Sequence, residues 1–172
     1  MKTQIAGWYV IYTRPRHERK VVNYLVELKI ISLLPATRVF RKTKNKAKYL
    51  DSPLFPSYVF VYLNDLEEFY KVLSLEGVLY FVRTGKEVAK VNESVIHNIR
   101  LLIGQGYDHH IEVSETEFLP GKKIMIKDGA MTGLNGEIVE TRGEQKILVR
   151  IRLLQRSILI TLPSDVIASI AS

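Results

Sequence analysis

The sequence predicts an α+β chain in two parts, an antiparallel sheet flanked by helices followed by a small five-stranded β-barrel. Three observations carry this. Apolar residues in the first part switch between periods of two and 3.6, which marks mixed helix and sheet. Beyond residue 119, short β-rich runs recur at close spacing with turn residues between them. Between the two parts, residues 105–118 hold Asp108, Glu112, Glu115 and Glu117 but no Lys or Arg, bracketed by Gly104, Gly106 and Pro120-Gly121. That stretch reads as a flexible acidic linker, giving expected domains of 5–104 and 119–172.

Residues 8–13 form a short strand of β-branched and aromatic residues. A helix over 16–29 follows, because Val21, Tyr24, Leu25 and Leu28 recur at helical spacing and Pro15 suits a first turn. Residues 33–41 read as a strand, 42–48 as a polar hairpin tip, and 57–63 as the β-rich return. Leu66, Phe69, Val72 and Leu73 predict a second helix, 78–82 another strand, and 93–103 a third helix with Val95, Ile96, Ile99 and Ile103 on one side. In the second part, strands are expected over 123–127, 136–141, 147–152, 157–162 and 166–170. Asp128-Gly129, Asn135-Gly136 and Arg142-Gly143 supply the turns, and Asn135-Gly136 is expected to provide a positive φ.

The composition excludes several classes of function. The 172 residues contain no Cys, which removes disulfide scaffolds, thiolate metal sites and Cys nucleophiles together. His17, His97, His109 and His110 fit no metal-ligand spacing, no phosphate-binding glycine loop occurs, and Ser57 lies in no nucleophile elbow. No catalytic residue, metal or cofactor is assigned, and the chain is read as a non-enzyme. No apolar run approaches the roughly 20 residues that span a bilayer, so no membrane association is expected and the chain is placed in the cytoplasm.

Charge is unevenly spread. The net charge is +7, yet residues 1–50 alone hold 12 Lys/Arg against Glu18 and Glu27, for a net of +10. Five of these cations, Arg41, Lys42, Lys44, Lys46 and Lys48, crowd the expected hairpin tip, where either solubility or nucleic-acid contact explains them. Arg14, Arg16, Arg19 and Lys20 cluster at the start of the first helix, where cations oppose the helix dipole. Phosphate oxygens would satisfy both these cations and the helix amides. Period two puts Trp8 with Tyr12 on one strand face, Tyr58 with Phe60 and Tyr62 on another, and Leu79 with Phe81 on a third. Burial accounts for most aromatic residues, but a partly open Tyr/Phe patch would dock a protein.

These segments resemble, in order, the NusG family of transcription elongation factors. The residues concerned are Trp8-Tyr9-Val10-Ile11-Tyr12, Phe55-Pro56-Ser57-Tyr58-Val59-Phe60-Val61, Gly77-Val78, Phe81-Val82-Arg83 and Gly85. Pro120-Gly121-Lys122-Lys123, Asp128-Gly129, Gly133 and Asn135-Gly136-Glu137 resemble the KOW motif. Leu54-Phe55-Pro56 and Phe81-Val82-Arg83 look closer to the antitermination branch typified by RfaH. The resemblance implies a factor that binds RNA polymerase, with Tyr12, Tyr58, Phe60 and Phe81 matching an apolar pocket for the tip of the clamp helices. It implies that Arg14, Arg16 and Lys20 lie near the non-template DNA strand, and Arg19, in the same basic cluster, is taken with them as nucleic-acid-binding. It also implies that Leu153, Leu154 and Gln155 match a KOW loop for a small-subunit ribosomal protein or Rho. Glu68-Phe69-Tyr70 departs from the His-Thr-Thr element of the RfaH branch, so contact with the opposing polymerase lobe is not carried over. In that branch the KOW domain can become a helical hairpin; here the β-branched alternation over 147–162 predicts strands. A stand-alone RNA- or ribosome-binding KOW protein is the alternative reading.

Overall fold

Trp8 to Tyr12 is an unbroken run of strand-forming residues, and it builds the centre of the first sheet. In the computed structural model, which describes residues 5–104, 110–127 and 131–162, the chain forms two compact units that divide between Glu93 and Ser94. The first unit runs β1 (Gly7–Thr13), α1 (Glu18–Glu27), β2 (Ser32–Leu33), β3 (Ala36–Thr43), β4 (Lys46–Pro53), β5 (Tyr58–Leu63) and α2 (Leu66–Leu73). It continues with β6 (Val78–Phe81), β7 (Arg83–Thr84), β8 (Glu87–Val88) and β9 (Lys90–Val91). Its main sheet is antiparallel in the order β2-β5-β1-β6, with β9 also paired to β1. Strand β1 pairs with β5 from Gly7↔Leu63 to Tyr12↔Tyr58. Strands β6 and β9 take its other edge, through Ile11↔Phe81 and Trp8↔Val91.

Alternation along these paired strands sorts side chains onto two faces. Tyr9 and Ile11 of β1 with Val59, Val61 and Leu63 of β5 meet Val21 and Leu25 of α1 and Val72 of α2 in one buried cluster. This cluster lies on the helical side, and Trp8, Val10, Phe55 and Phe60 are buried as well. The opposite face carries Trp8, Val10 and Tyr12 beside Tyr62, Phe60 and Tyr58.

Helix ends are closed locally. At the end of α1 the Ile30 N–H donates to Leu25 O at 2.9 Å and the Lys29 N–H to Val26 O at 2.9 Å. Lys29 sits at φ 59°, so the helix ends in a Schellman turn with Lys in the place glycine favours. Asp65 caps α2 by accepting the Glu68 N–H at 2.9 Å, and the Asn64 N–H donates to Glu68 Oε2 at 2.7 Å. Gly77 combines φ 97° with a close approach: a Cβ there would meet His17 Cβ at 3.1 Å and Val21 at 3.2 Å. The N–H of Arg14 donates to Gly77 O at 2.8 Å, tying the end of β6's approach to the start of α1.

The second unit begins with α3 (Glu93–Ile103) and continues through β10 (His110–Ser114), β11 (Lys122–Met125), β12 (Asn135–Thr141), β13 (Glu144–Ile151) and β14 (Arg156–Thr161). Its five strands form one antiparallel sheet in the order β10-β14-β13-β12-β11, the KOW-like β-barrel region. The sequence 147–162 is strand on both sides of a short 3-10 turn, Arg152–Leu154, as its alternation requires.

Three expectations change here. Residues 110–114 of the anticipated linker are an edge strand, with Ile111↔Ile160 and Val113↔Ile158 supplying apolar pairs that the surrounding acids hid. Helix α3, placed in the first domain from sequence, is grouped with the second unit, where Asn98 exchanges hydrogen bonds with the Asn135 backbone at 3.2 and 3.3 Å. Gly136 is not a positive-φ turn residue but a ladder residue of β12. A Cβ there would stand 2.7 Å from Ile147 Cγ2 and 3.0 Å from Leu148 O, so close strand approach is what demands glycine. The anticipated strand 166–170 and the Asp128-Gly129 turn lie outside the described residues.

Glu137 of β12 receives hydrogen bonds from Arg150 and from the Gly121 N–H, the latter at 3.1 Å. Burial pushes its carboxyl pKa up, but these bonds and the charges of Arg150 and Lys123 outweigh it, so the group titrates below its usual 4.5. A depressed folded pKa contributes stability at higher pH and loses it as pH falls through the folded value. Urea melts of the chain should therefore lose stability below pH about 4.5, and Glu137→Gln should flatten that loss while costing about 1–3 kcal/mol at pH 7. An unchanged acid limb in Glu137→Gln would show that Glu137 contributes no such linkage.

Candidate functional site

Three tyrosines meet at one end of the first sheet, on the face away from the helices. Tyr12 lies edge-on to Tyr58 with ring centroids 5.1 Å apart and stacks on Tyr80 at 5.1 Å with an interplanar angle of 16°. The register explains the grouping, since Tyr12 is the partner of Tyr58 on one side and of Tyr80 on the other. The ladder shifts between Tyr12 and Thr13, whose β6 partners are Tyr80 and Val78, which leaves Leu79 as the extra residue of a bulge. Both Leu79 and Tyr80 are exposed, at 45% and 51%. Tyr12 and Tyr58 are half-buried.

The four residues singled out from sequence separate. Tyr12, Tyr58 and Phe60 share the tyrosine face, but Phe60 is wholly buried and 6.3 Å from the ring of Phe55, so it is a floor and not a contact surface. Phe81 is on the other face. It pairs with Ile11, stacks on Phe69 of α2 with centroids 4.4 Å apart, and belongs to the helical core. Tyr80, and not Phe81, stands beside Tyr12. Register is the reason: Phe81 is paired with Ile11 and Tyr80 with Tyr12, and period two within one strand does not say which of its faces meets which face of β1. Glu68-Phe69-Tyr70 is largely structural, since Glu68 serves the α2 cap and Phe69 the core, leaving Tyr70 exposed.

The basic cluster also sorts itself. Helix α1 starts at Glu18, two residues later than expected, after a turn in which Arg16 adopts φ 66°. Glu18 is buried and its Oε1 accepts the Ser57 N–H at 2.8 Å, where Ser57 itself holds φ 68°. A carboxylate thus already stands in the first turn of α1, where it complements the helix dipole that the neighbouring cations oppose. Lys20 pairs with Glu76 at 2.9 Å, which holds the Glu76 carboxyl below its usual pKa. Arg19 donates from Nη2 to the Asp51 carbonyl at 2.9 Å. Arg14 and Arg16 are exposed beside them. Pro15, Arg16, Glu18, Arg19, Pro53, Pro56 and Ser57 line a cavity of about 400 Å³ between the start of α1 and the turn into β5.

In the second unit, Leu154 is buried, Gln155 is exposed at φ 52°, and Leu153 is half-buried. The loop therefore offers Leu153 and Gln155, while Leu154 closes the sheet's core. Among the described residues no helix is long and apolar enough to cross a membrane.

Residues 6–100 match the family described as transcription termination factor NusG. The chain belongs to the NusG family. A transcription termination/antitermination protein NusG of Lactococcus lactis is 30% identical over 155 residues, covering 83% of this chain and 82% of that protein. The Streptococcus pyogenes NusG proteins are 28% identical over 145 residues, covering 78% of this chain and 80% of theirs. Among solved structures, a study of domain interaction in Thermotoga maritima NusG superposes with a TM-score of 0.50 at 24% identity, over 90% of this chain and 92% of that one. The NusG relatives are transcription factors, and this chain is a transcription termination/antitermination factor by the same membership.

The sheet thus separates two aromatic groups, Phe81 in the helical core and Tyr80 half exposed beside Tyr12. Phe81→Ala should empty a core site and lower stability by about 3–5 kcal/mol, whereas Tyr80→Ala, half exposed, should cost under about 1 kcal/mol. Denaturant melts of the two variants check this, and equal losses would contradict the assignment of faces.

Proposed function

We propose that this chain is an elongation or antitermination factor that binds RNA polymerase through its first unit. The tyrosine cluster is the contact, with Tyr12, Tyr58 and Tyr80 forming the walls over a Phe60 floor and Phe81 supporting the sheet from behind. The observation that carries this is three rings gathered at 5.1 Å spacings with Tyr80 half exposed, at the open end of a face whose middle is buried at Val10 and Phe60. Rigid aromatic side chains supply docking area with little entropy to lose. The tip of the clamp helices is the partner the family resemblance implies.

Arg14 and Arg16 are the residues that lean on the non-template strand, because Arg19 and Lys20 are committed within the chain. The KOW-like unit recruits a small-subunit ribosomal protein or Rho through Leu153 and Gln155. The resemblance of Leu54-Phe55-Pro56 to the RfaH branch supports antitermination as the outcome. A factor of this kind works in the cytoplasm.

The full chain should bind RNA polymerase, and Tyr58→Ala or Tyr80→Ala should weaken binding by about 30-fold, or about 2 kcal/mol, with melting curves little changed. Biolayer interferometry on immobilised polymerase reads this directly. Undiminished affinity in both folded variants, or tight RNA binding with none to polymerase, favours the stand-alone RNA-binding alternative.

A further inference from the structure

Strands β3 and β4 pair with each other over eight residue pairs, from Ala36↔Pro53 to Thr43↔Lys46, and with no other strand among the described residues. Every residue from 38 to 49 is exposed, so no core explains this ribbon. At about 3.3 Å per residue it extends roughly 25 Å. Six cations, Arg38, Arg41, Lys42, Lys44, Lys46 and Lys48, stand on it against one acid, Asp51, which ion-pairs with Arg38 at 3.7 Å. Among the described residues, none of the other five has a carboxylate at salt-bridge distance.

The register sets these charges against one another. Arg41 lies directly opposite Lys48, with Lys46 one step further on the same face. Like charges directly across a ladder destabilise it, and a local conflict of this kind calls for an external anion. The other face has the Phe40–Tyr49 pair, with ring centroids 5.2 Å apart, which holds the two strands in register. At its base the ribbon is fastened by the Leu54 N–H to Pro35 O at 2.7 Å and by Arg19 to Asp51 O at 2.9 Å. The arm is therefore anchored to α1 and continuous with the exposed Arg14 and Arg16.

We propose that the β3–β4 ribbon is a second nucleic-acid contact, an arm that enters the major groove of B-form duplex DNA with Arg41, Lys46 and Lys48 on the phosphates. A two-stranded ribbon fits a groove about 12 Å wide, while the major groove of A-form RNA is too narrow to admit it. This contact is distinct from the single-strand contact at Arg14 and Arg16 and needs neither polymerase nor the tyrosine cluster.

The test uses the full chain and a fluorescent DNA duplex of about three helical turns, without polymerase, by anisotropy over a salt series. Wild type should bind, with affinity falling steeply as salt rises. Arg41→Gln with Lys46→Gln and Lys48→Gln should weaken duplex binding at least tenfold and reduce the log–log salt slope by roughly 2 to 3, at about 0.9 per phosphate contact. Lys48→Glu, which converts the opposed like charges into an attractive pair, should hold or raise the melting temperature while weakening duplex binding. Neither variant should change binding to a single strand of the same length as much as binding to the duplex. Absence of duplex binding by wild type, unchanged affinity in the variants, equal losses on single strands or on duplex RNA, or a lower melting temperature for Lys48→Glu overturns the proposal.

Discussion

The constraint on which the first unit depends is the register of β1 between β5 on one edge and β6 with β9 on the other. Six consecutive pairs with β5 commit Tyr9 and Ile11 to the helical side and Trp8, Val10 and Tyr12 to the other. A slip of one residue would exchange the two sets, exposing the core residues and burying tyrosine hydroxyls. Everything else in the unit follows this sorting. Helices α1 and α2 cover one face because the apolar positions there match their own stripes, and the tyrosines gather on the other because their partners in β5 and β6 are tyrosines too. Among the described residues, the bulge at Leu79 is the one departure from regular pairing in the unit's main sheet, and it falls beside the tyrosine cluster.

Polar chemistry ties that surface to its surroundings. Glu18 is buried at the start of α1 yet fully used, holding the Ser57 N–H at 2.8 Å, while the Thr13 N–H donates to Ser57 O at 2.8 Å. The turn Phe55-Pro56-Ser57 is thereby clamped between the end of β1 and the first turn of α1. A buried carboxylate left without that N–H would be costly, so the clamp fixes where β5 begins and hence where Tyr58 stands. Two residues in this region, Arg16 and Ser57, hold positive φ without being glycine. Backbone strain of this sort is retained where the neighbouring structure overrides it, and it collects at functional surfaces.

Much of this was legible in the sequence, and the parts that were not share physical causes. Residues 8–13 and 57–63 were readable as unbroken β-branched and aromatic runs, buried on both faces, and the helices because each buries one apolar stripe. Strand β4 was hidden because both of its faces are exposed, and a ribbon without a core leaves no hydrophobic alternation; residues 42–48 therefore read as a tip when the turn is only Lys44-Asn45. Strand β10 was hidden by its acids. For the aromatic face, Tyr58 and Phe60 share a side as period two indicates, whereas Phe81 lies on the helical side and Tyr80 beside Tyr12, because the register of β6 on β1 leaves no mark in composition. The role of Gly136 was likewise misread, since neither close strand approach nor its direction can be inferred from an Asn-Gly pair.

The proposed contact puts the tyrosine face of the first sheet, and not the helical face, against RNA polymerase. Tyrosine nitration mapped by mass spectrometry, on the free chain and on its polymerase complex, tests it most directly. Tyr80, exposed in the free chain, should react there and become protected in the complex together with Tyr12 and Tyr58, while exposed Tyr70 on α2 should react equally in both states. Protection of Tyr70 with Tyr80 still reactive would contradict it.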